Sequence, residues 1–268
     1  MGVVDLELLI VVKSYPNPSQ SLGEATCVVG ICKDRGFVRL YPVPFRKLED
    51  ERQFSKYQVI RLKAQEPCSD KRPNTFRPIL DSIELVGEPI PTGKGRDWAA
   101  RKEWVMPWRN ASMCEIQRRQ KENGTSMGFF KPAEVLDVTQ EEQAEDWDRA
   151  ELAKLEQTDF FMTKENTLLE KIPFKWRYVY RCSDPDCTGH EQQIIDWEAG
   201  AFYRNAIRRG GITDPSAVRE GMRRKFLGQL CGVDRDTHFF TGNMAAHQGS
   251  FLILGVLRPP VELQGRLF

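Results

Sequence analysis

Apolar and polar positions alternate with a short period through the first third of the chain, and with a longer, helical period in much of the remainder. Residues 6–12, 25–32, 36–45, 57–66 and 82–90 are runs rich in β-branched and aromatic side chains, the composition of strands. Turn formers separate them: Tyr15-Pro-Asn-Pro-Ser-Gln-Ser, Lys33-Asp-Arg-Gly36 and Pro73-Asn-Thr-Phe-Arg-Pro78. The second of these lies between CVVGI and FVRLYPVPF and spells a tight hairpin, with Gly36 free to take a positive φ. Leu8 to Val12 form the longest apolar run, five residues, read as a buried strand and far too short to span a membrane. Five short strands within about 85 residues predict a small barrel or strongly coiled sheet of OB-like or PUA-like kind.

Beyond residue 92 the pattern changes. Asp97 to Val105 reads as a short helix stopped by Pro107. Ser112 to Asn123 reads as a second, with Ser112 as N-cap, Glu115 at the capping-box position and Asn123-Gly124 as the stop. Ser126 to Pro132 is a loop leading into a strand at Glu134–Val138. The acidic stretch from Gln140 to Gln157 is helical by composition, with Trp147, Ala150 and Leu155 as a sparse apolar stripe. From Phe174 to Arg181, aromatics alternate with mostly basic residues, a period-2 strand with one aromatic face. Glu191 to Arg209 reads as a helix with Ile195, Ala199, Phe202 and Ala206 buried. A further helix starts at Asp214-Pro215, with Val218, Met222, Phe226 and Leu230 as its core stripe. Two strands, His238–Asn243 and Ser250–Leu257, close the pattern around a loop carrying His247. The expected class is α+β: a barrel over 1–92, a helical and acidic connecting region over 93–172, and an α+β region over 173–268.

Composition adds little to this. Hydrophobic residues at 40% and charged residues at 29% are ordinary for a globular chain. Seven cysteines, an odd number without a paired framework, and no basic segment before Leu8 point to a reducing cytoplasm and to no membrane association. Charge changes the picture more. The net charge of +1 conceals segregation: residues 94–121 hold eight Lys/Arg against three acids, 134–170 twelve acids against three bases, and 201–230 seven bases against two acids. The acidic block docks a partner protein, folds back onto the basic blocks, or is, like them, a solvated face. Arg204, Arg208, Arg209, Arg219, Arg223 and Arg224 form the densest positive cluster, suited to phosphate contact. Trp98, Trp104 and Trp108 lie among Arg96, Arg101, Lys102 and Arg109. Rings interleaved with guanidinium groups suit single-stranded nucleic acid, and Trp108 with Arg109 is the better surface candidate.

One stretch carries chemistry. Cys182-x4-Cys187-x2-His190 places three soft-metal ligands within nine positions, with turn residues between them that allow convergence on one ion. Two thiolates and an imidazole suit zinc. Cys231, His238 and His247, in that order, are candidates for the fourth ligand. With water in the fourth position the site would be open and hydrolytic, drawing on His190, Asp196 and one of His238 or His247. Asp196 could instead act as a partner to the imidazole of His190. No phosphate-binding glycine loop, HExxH or GxSxG is present.

The stretch Cys27-Val-Val-Gly-Ile-x4-Gly36-Phe-Val-Arg-Leu-Tyr-Pro42 resembles a strand pair of prokaryotic dual OB-fold-containing proteins. That resemblance implies a nucleic-acid-associated barrel. The sequence therefore leaves three readings: a zinc-stabilised protein that binds DNA or RNA, a metal-dependent hydrolase of nucleic acid, and an assembly protein docking through residues 134–170.

Overall fold

The computed structural model describes residues 2–67, 70–92, 98–156 and 168–261. Its first part is a closed five-stranded barrel. Strands β1 (Val3–Lys13), β3 (Gly23–Cys32), β4 (Gly36–Val43), β6 (Thr75–Pro78) and β5 (Val59–Gln65) follow one another around the ring, and β5 returns to pair with β1. All of these pairings are antiparallel except β4 with β6. Two short strands hang off the ring: β2 (Asn17–Ser19) on β3, and β7 (Glu84–Val86) on β5. The Lys33–Gly36 turn forms as expected, with Gly36 at φ 75° and opposite Cys32.

Alternation along β1 explains its apolar run. Leu6, Leu8 and Ile10 fill the barrel with Val28, Leu40, Ile60 and Leu62. Leu9, Val11 and, beyond an irregularity in register, Val12 face outward into a second core with Phe129, Phe240 and Leu254. Both faces of the strand are therefore buried, which a run lacking polar interruptions permits.

The rest of the chain supplies two three-stranded sheets. One is β8 (Met127–Phe130), β12 (His238–Asn243) and β13 (Phe251–Leu257), in the order β13-β12-β8, and it covers the outer face of the barrel. The other is β9 (Pro132–Glu142), β10 (Phe174–Cys182) and β11 (His190–Gln193), in the order β11-β10-β9. Helices α1 (Ala99–Val105), α2 (Met113–Asn123), α3 (Arg149–Leu155), α4 (Trp197–Phe202) and α5 (Pro215–Met222) decorate them, the last two continuing into single π-helical segments at 203–208 and 223–229. No described helix is long and apolar enough to cross a membrane.

The expected caps and faces of several elements are present. Ser112 accepts the amide of Glu115, and Gly124 ends α2 at φ 75°. Asp214 accepts the amide of Ala217 at the start of α5. Val218, Met222, Phe226 and Leu230 are buried along one stripe.

Four expectations need correction, the first being Ser126 to Pro132, read as a loop, which holds strand β8 (Met127–Phe130) paired with β12. The fifth barrel strand lies not at 82–90 but inside the Pro73–Pro78 segment read as a turn. Prolines at both edges hide a strand only four residues long. The acidic stretch after Gln140 continues β9 as far as Glu142 before α3 begins. The helix expected from Glu191 begins only at Trp197, because 190–193 pairs with β10 instead. Its buried face shifts accordingly to Ala199, Tyr203 and Ile207, while Ala206 is exposed.

Candidate metal centre

Strand β10 fixes the first ligand. Phe174, Trp176, Tyr178, Tyr180 and Cys182 share the inward face and are all buried, so the alternation that builds the core also points the Cys182 thiol inward. The chain then reverses through 183–189. The amide of Cys187 donates to the Asp184 carbonyl at 3.1 Å, and Gly189 takes φ 106°. His190 re-enters as the first residue of β11 opposite Tyr180, its ring stacked on that tyrosine with centroids 5.1 Å apart.

The fourth donor comes from elsewhere: Cys114, the second residue of α2. Asp184 holds the start of that helix against the turn, accepting from Ser112 Oγ at 3.3 Å and from Arg118 at 2.6 Å. Ser183 Oγ donates to the carbonyl of Ala111 at 2.7 Å. The ligand atoms of Cys114, Cys182, Cys187 and His190 all lie within 4.8 Å of one another. Cys182 and Cys114 sulfurs are 3.6 Å apart, and the Nε2 atom of His190 is 3.3 Å from Cys182 and 3.5 Å from Cys114. A tetrahedron with bonds of about 2.3 Å to sulfur and about 2.0 Å to nitrogen has edges of about 3.8 Å and about 3.5 Å. Three of the six donor–donor distances match those edges, and the other three, all to Cys187, lie within 4.8 Å.

Electrostatics point the same way. Burial opposes ionisation of Cys182, but the backbone amides around it and the His190 ring bring it down to about 6. Burial and the adjacent Cys182 push Cys114 up to about 12. The thiols of Cys114 and Cys182, in contact, resist ionising together, and a cation between them would remove that cost. The group can hold one metal ion.

The other sequence candidates lie apart from this group. Cys231 sits beside the Tyr178 hydroxyl, its thiol pushed up to about 12 by burial. His238 is fully buried, stacked on Phe129, with Nδ1 3.0 Å from the Asp236 carbonyl and its pKa lowered by burial. His247 is exposed in the β12–β13 loop. Asp196 does not reach His190; it caps α4 and meets Lys56 Nζ at 3.3 Å, a contact between the C-terminal part and the barrel. Burial works against the charge of Lys56, yet the carboxylates of Asp196 and Glu198 outweigh it and raise its pKa.

Of the acidic block, residues 157–167 lie outside the described residues; among the rest, Glu170 pairs with Arg208, Asp137 with Arg223, and Glu141 with Arg177. Arg204 lies over the Tyr15 ring. Arg209, Arg219 and Arg224 are exposed and make no ion pair among the described residues. Trp98 and Trp104 pack against the barrel's outer core, and Arg101 is clamped between Tyr57 and Trp98. Trp108 rests on Gly36, while Arg109 is exposed. Arg96 lies outside the described residues. Cys114 escaped the sequence reading because nothing near it is a ligand; its one signal is a cysteine in the first turn of a well-capped helix.

The fold and the site thus define a barrel-containing α+β protein with a four-donor soft-ligand centre. The chain belongs to the family described as a domain of unknown function, DUF8757, which matches residues 109–268. A second family of unknown function, DUF8758, matches residues 4–107. No curated protein matches the sequence.

Proposed function

We propose that the chain is a nucleic-acid-binding protein built on an OB-type barrel, with a structural zinc ion held by Cys114, Cys182, Cys187 and His190. The observation that carries the reading is the strand order. Counting ring strands alone, the order is first–second–third–fifth–fourth, closing on the first, with the third and fifth parallel. OB barrels bind oligonucleotides on the face between the loops that follow their first and fourth strands. Here a cleft of about 690 Å³ opens between those two loops, bordered by Ser19 and Ser21 on one side and Gln65 and Asp70 on the other, with Tyr41 and Arg77 on its strands. Tyr41 is 39% exposed, a ring on which a base can stack, with Arg77 at hand for phosphate.

Three sulfurs and one nitrogen fill a tetrahedron and suit zinc among common metals. A site with all four positions taken by protein is structural, which favours binding over the hydrolase reading. The acidic block's internal ion pairs favour it over docking through residues 134–170.

The test is fluorescence anisotropy with labelled single- and double-stranded oligonucleotides. Affinity should fall steeply between about 50 mM and 200 mM salt, drop further in Tyr41→Ala, and leave the oligonucleotide uncut. No binding at the lower salt rejects the reading.

A further inference from the structure

A second cleft, of about 340 Å³, lies at the opposite end of the parallel pair β4 and β6. The barrel contributes Arg35 and Asn74 to it; the C-terminal part contributes Trp108, Asn110, Arg119 and Ser126. No carboxylate is among the described residues lining it. Arg35 is exposed, and among the described residues the ion pair of Arg119 is with half-buried Glu115 at 3.8 Å, a long contact of little strength. Behind the wall lies Arg39, only 1% exposed. Its guanidinium donates to neutral oxygens, the hydroxyls of Thr75 and Ser126 and the carbonyl of Ser126. Two guanidinium groups, of Arg35 and Arg119, therefore line one small volume with Arg39 bonded into the wall behind it, and a concavity of one sign of charge favours an anion.

The walls are also pre-set. Trp108 lies against Gly36, where an added Cβ would meet its ring at 2.8 Å. Asn74 is held at φ 57° by the amide of Arg39, which donates to its carbonyl at 2.8 Å. Asn110 Oδ1 accepts from the Phe129 amide at 3.1 Å, which fixes the side chain and leaves its NH2 group as a donor. An indole, fixed amides and paired arginines together match a base joined to a phosphate better than a bare anion, which needs no ring.

We infer that this cleft is a nucleotide subsite for single-stranded nucleic acid, with phosphate between Arg35 and Arg119 and a base against Trp108. The inference rests on the nucleic-acid reading above and adds to it a second contact, made jointly by the barrel and the C-terminal part. A strand held at both clefts is gripped at two separate points.

The experiment is anisotropy of a labelled oligothymidylate with the full chain and with Arg35→Glu, Arg119→Glu, Trp108→Leu, Tyr41→Ala and Arg219→Glu, each checked by thermal melting. Each of the first three should weaken binding about tenfold or more, and each arginine change should lower the salt slope by about one. Arg35 and Arg119 are surface residues, so their variants remain informative even where Trp108→Leu fails to fold. Wild-type-like binding in both arginine variants, with loss in Tyr41→Ala or Arg219→Glu, overturns the subsite and leaves the broader reading standing. No binding by the wild type overturns both.

Discussion

Replacing Cys114 by serine removes one soft donor from the candidate metal centre with little change in side-chain volume. Structural zinc in small domains binds with an apparent free energy of about 10–16 kcal/mol. Shared equally among four donors, that is about 2.5–4 kcal/mol for each, or roughly a hundredfold to a thousandfold in dissociation constant. The geometry allows no easy rescue, because Cys231 is engaged beside Tyr178 and His247 lies in the β12–β13 loop. Competition against a chromophoric chelator measures the affinity directly, and metal content after gel filtration gives the stoichiometry. The wild type should carry about one zinc per chain; Cys114→Ser should lose it to the chelator at concentrations that leave the wild type loaded. Cys231→Ser is the decisive control. If that variant loses zinc while Cys114→Ser retains it, the coordination argument from sulfur–sulfur and sulfur–nitrogen distances is wrong.

Two further perturbations probe the seam between the barrel and the C-terminal part. Lys56→Met leaves Asp196, whose side chain is only 5% exposed, without its cation; removing one partner of a buried pair costs about 3–5 kcal/mol. Urea denaturation should show that loss, and adding Asp196→Asn should recover part of it; an unchanged midpoint in Lys56→Met would show the pair to be inert. Lys13 is drawn down to about 8 by burial and then by Lys56. The unfolded chain therefore holds a proton that the folded chain has released over the window from about 8 to about 10.5, and stability gains from rising pH there. Lys13→Met should lose that gain, so the stability difference between wild type and variant should move in favour of the wild type as pH climbs from 8 to 10. A constant difference would assign no titration to Lys13.

The barrel and the aromatic strand were readable because burial leaves a period-2 trace: Phe174 to Cys182 alternate in sequence as they do in the structure. Cap chemistry at Ser112 and Asp214 was readable for a similar reason, since the signal is local. The failures are tertiary. Glu191-Gln-Gln favours a helix in isolation, yet Gln192 is buried in a strand where its side chain accepts from the Tyr180 hydroxyl at 2.6 Å. Glu141 sits in a strand beside Lys175 and Arg177, partners across the sheet that composition along one segment does not show. The fourth metal donor is 68 residues from Cys182, and no periodicity or spacing rule links positions that far apart. Trp108 is half-buried and packs on the same outer core as Trp98 and Trp104, and the cleft around it draws on both halves of the chain.

That separation along the chain has a meaning in time. The barrel's last ring strand ends at Pro78, so the ring's residues are all synthesised before α2. Cys114 follows, but its three co-ligands do not emerge until His190 has been made. At about 5–20 residues per second, the 68 positions to Cys182 take roughly 3–14 s. Throughout that interval Cys114 is a solitary thiol on a helix with nothing to grip. The three hairpin ligands lie within nine positions of one another and so become available together. A metal held by all four donors would therefore act as a clasp joining α2 to the hairpin only after His190 has been made, across 68 positions of chain.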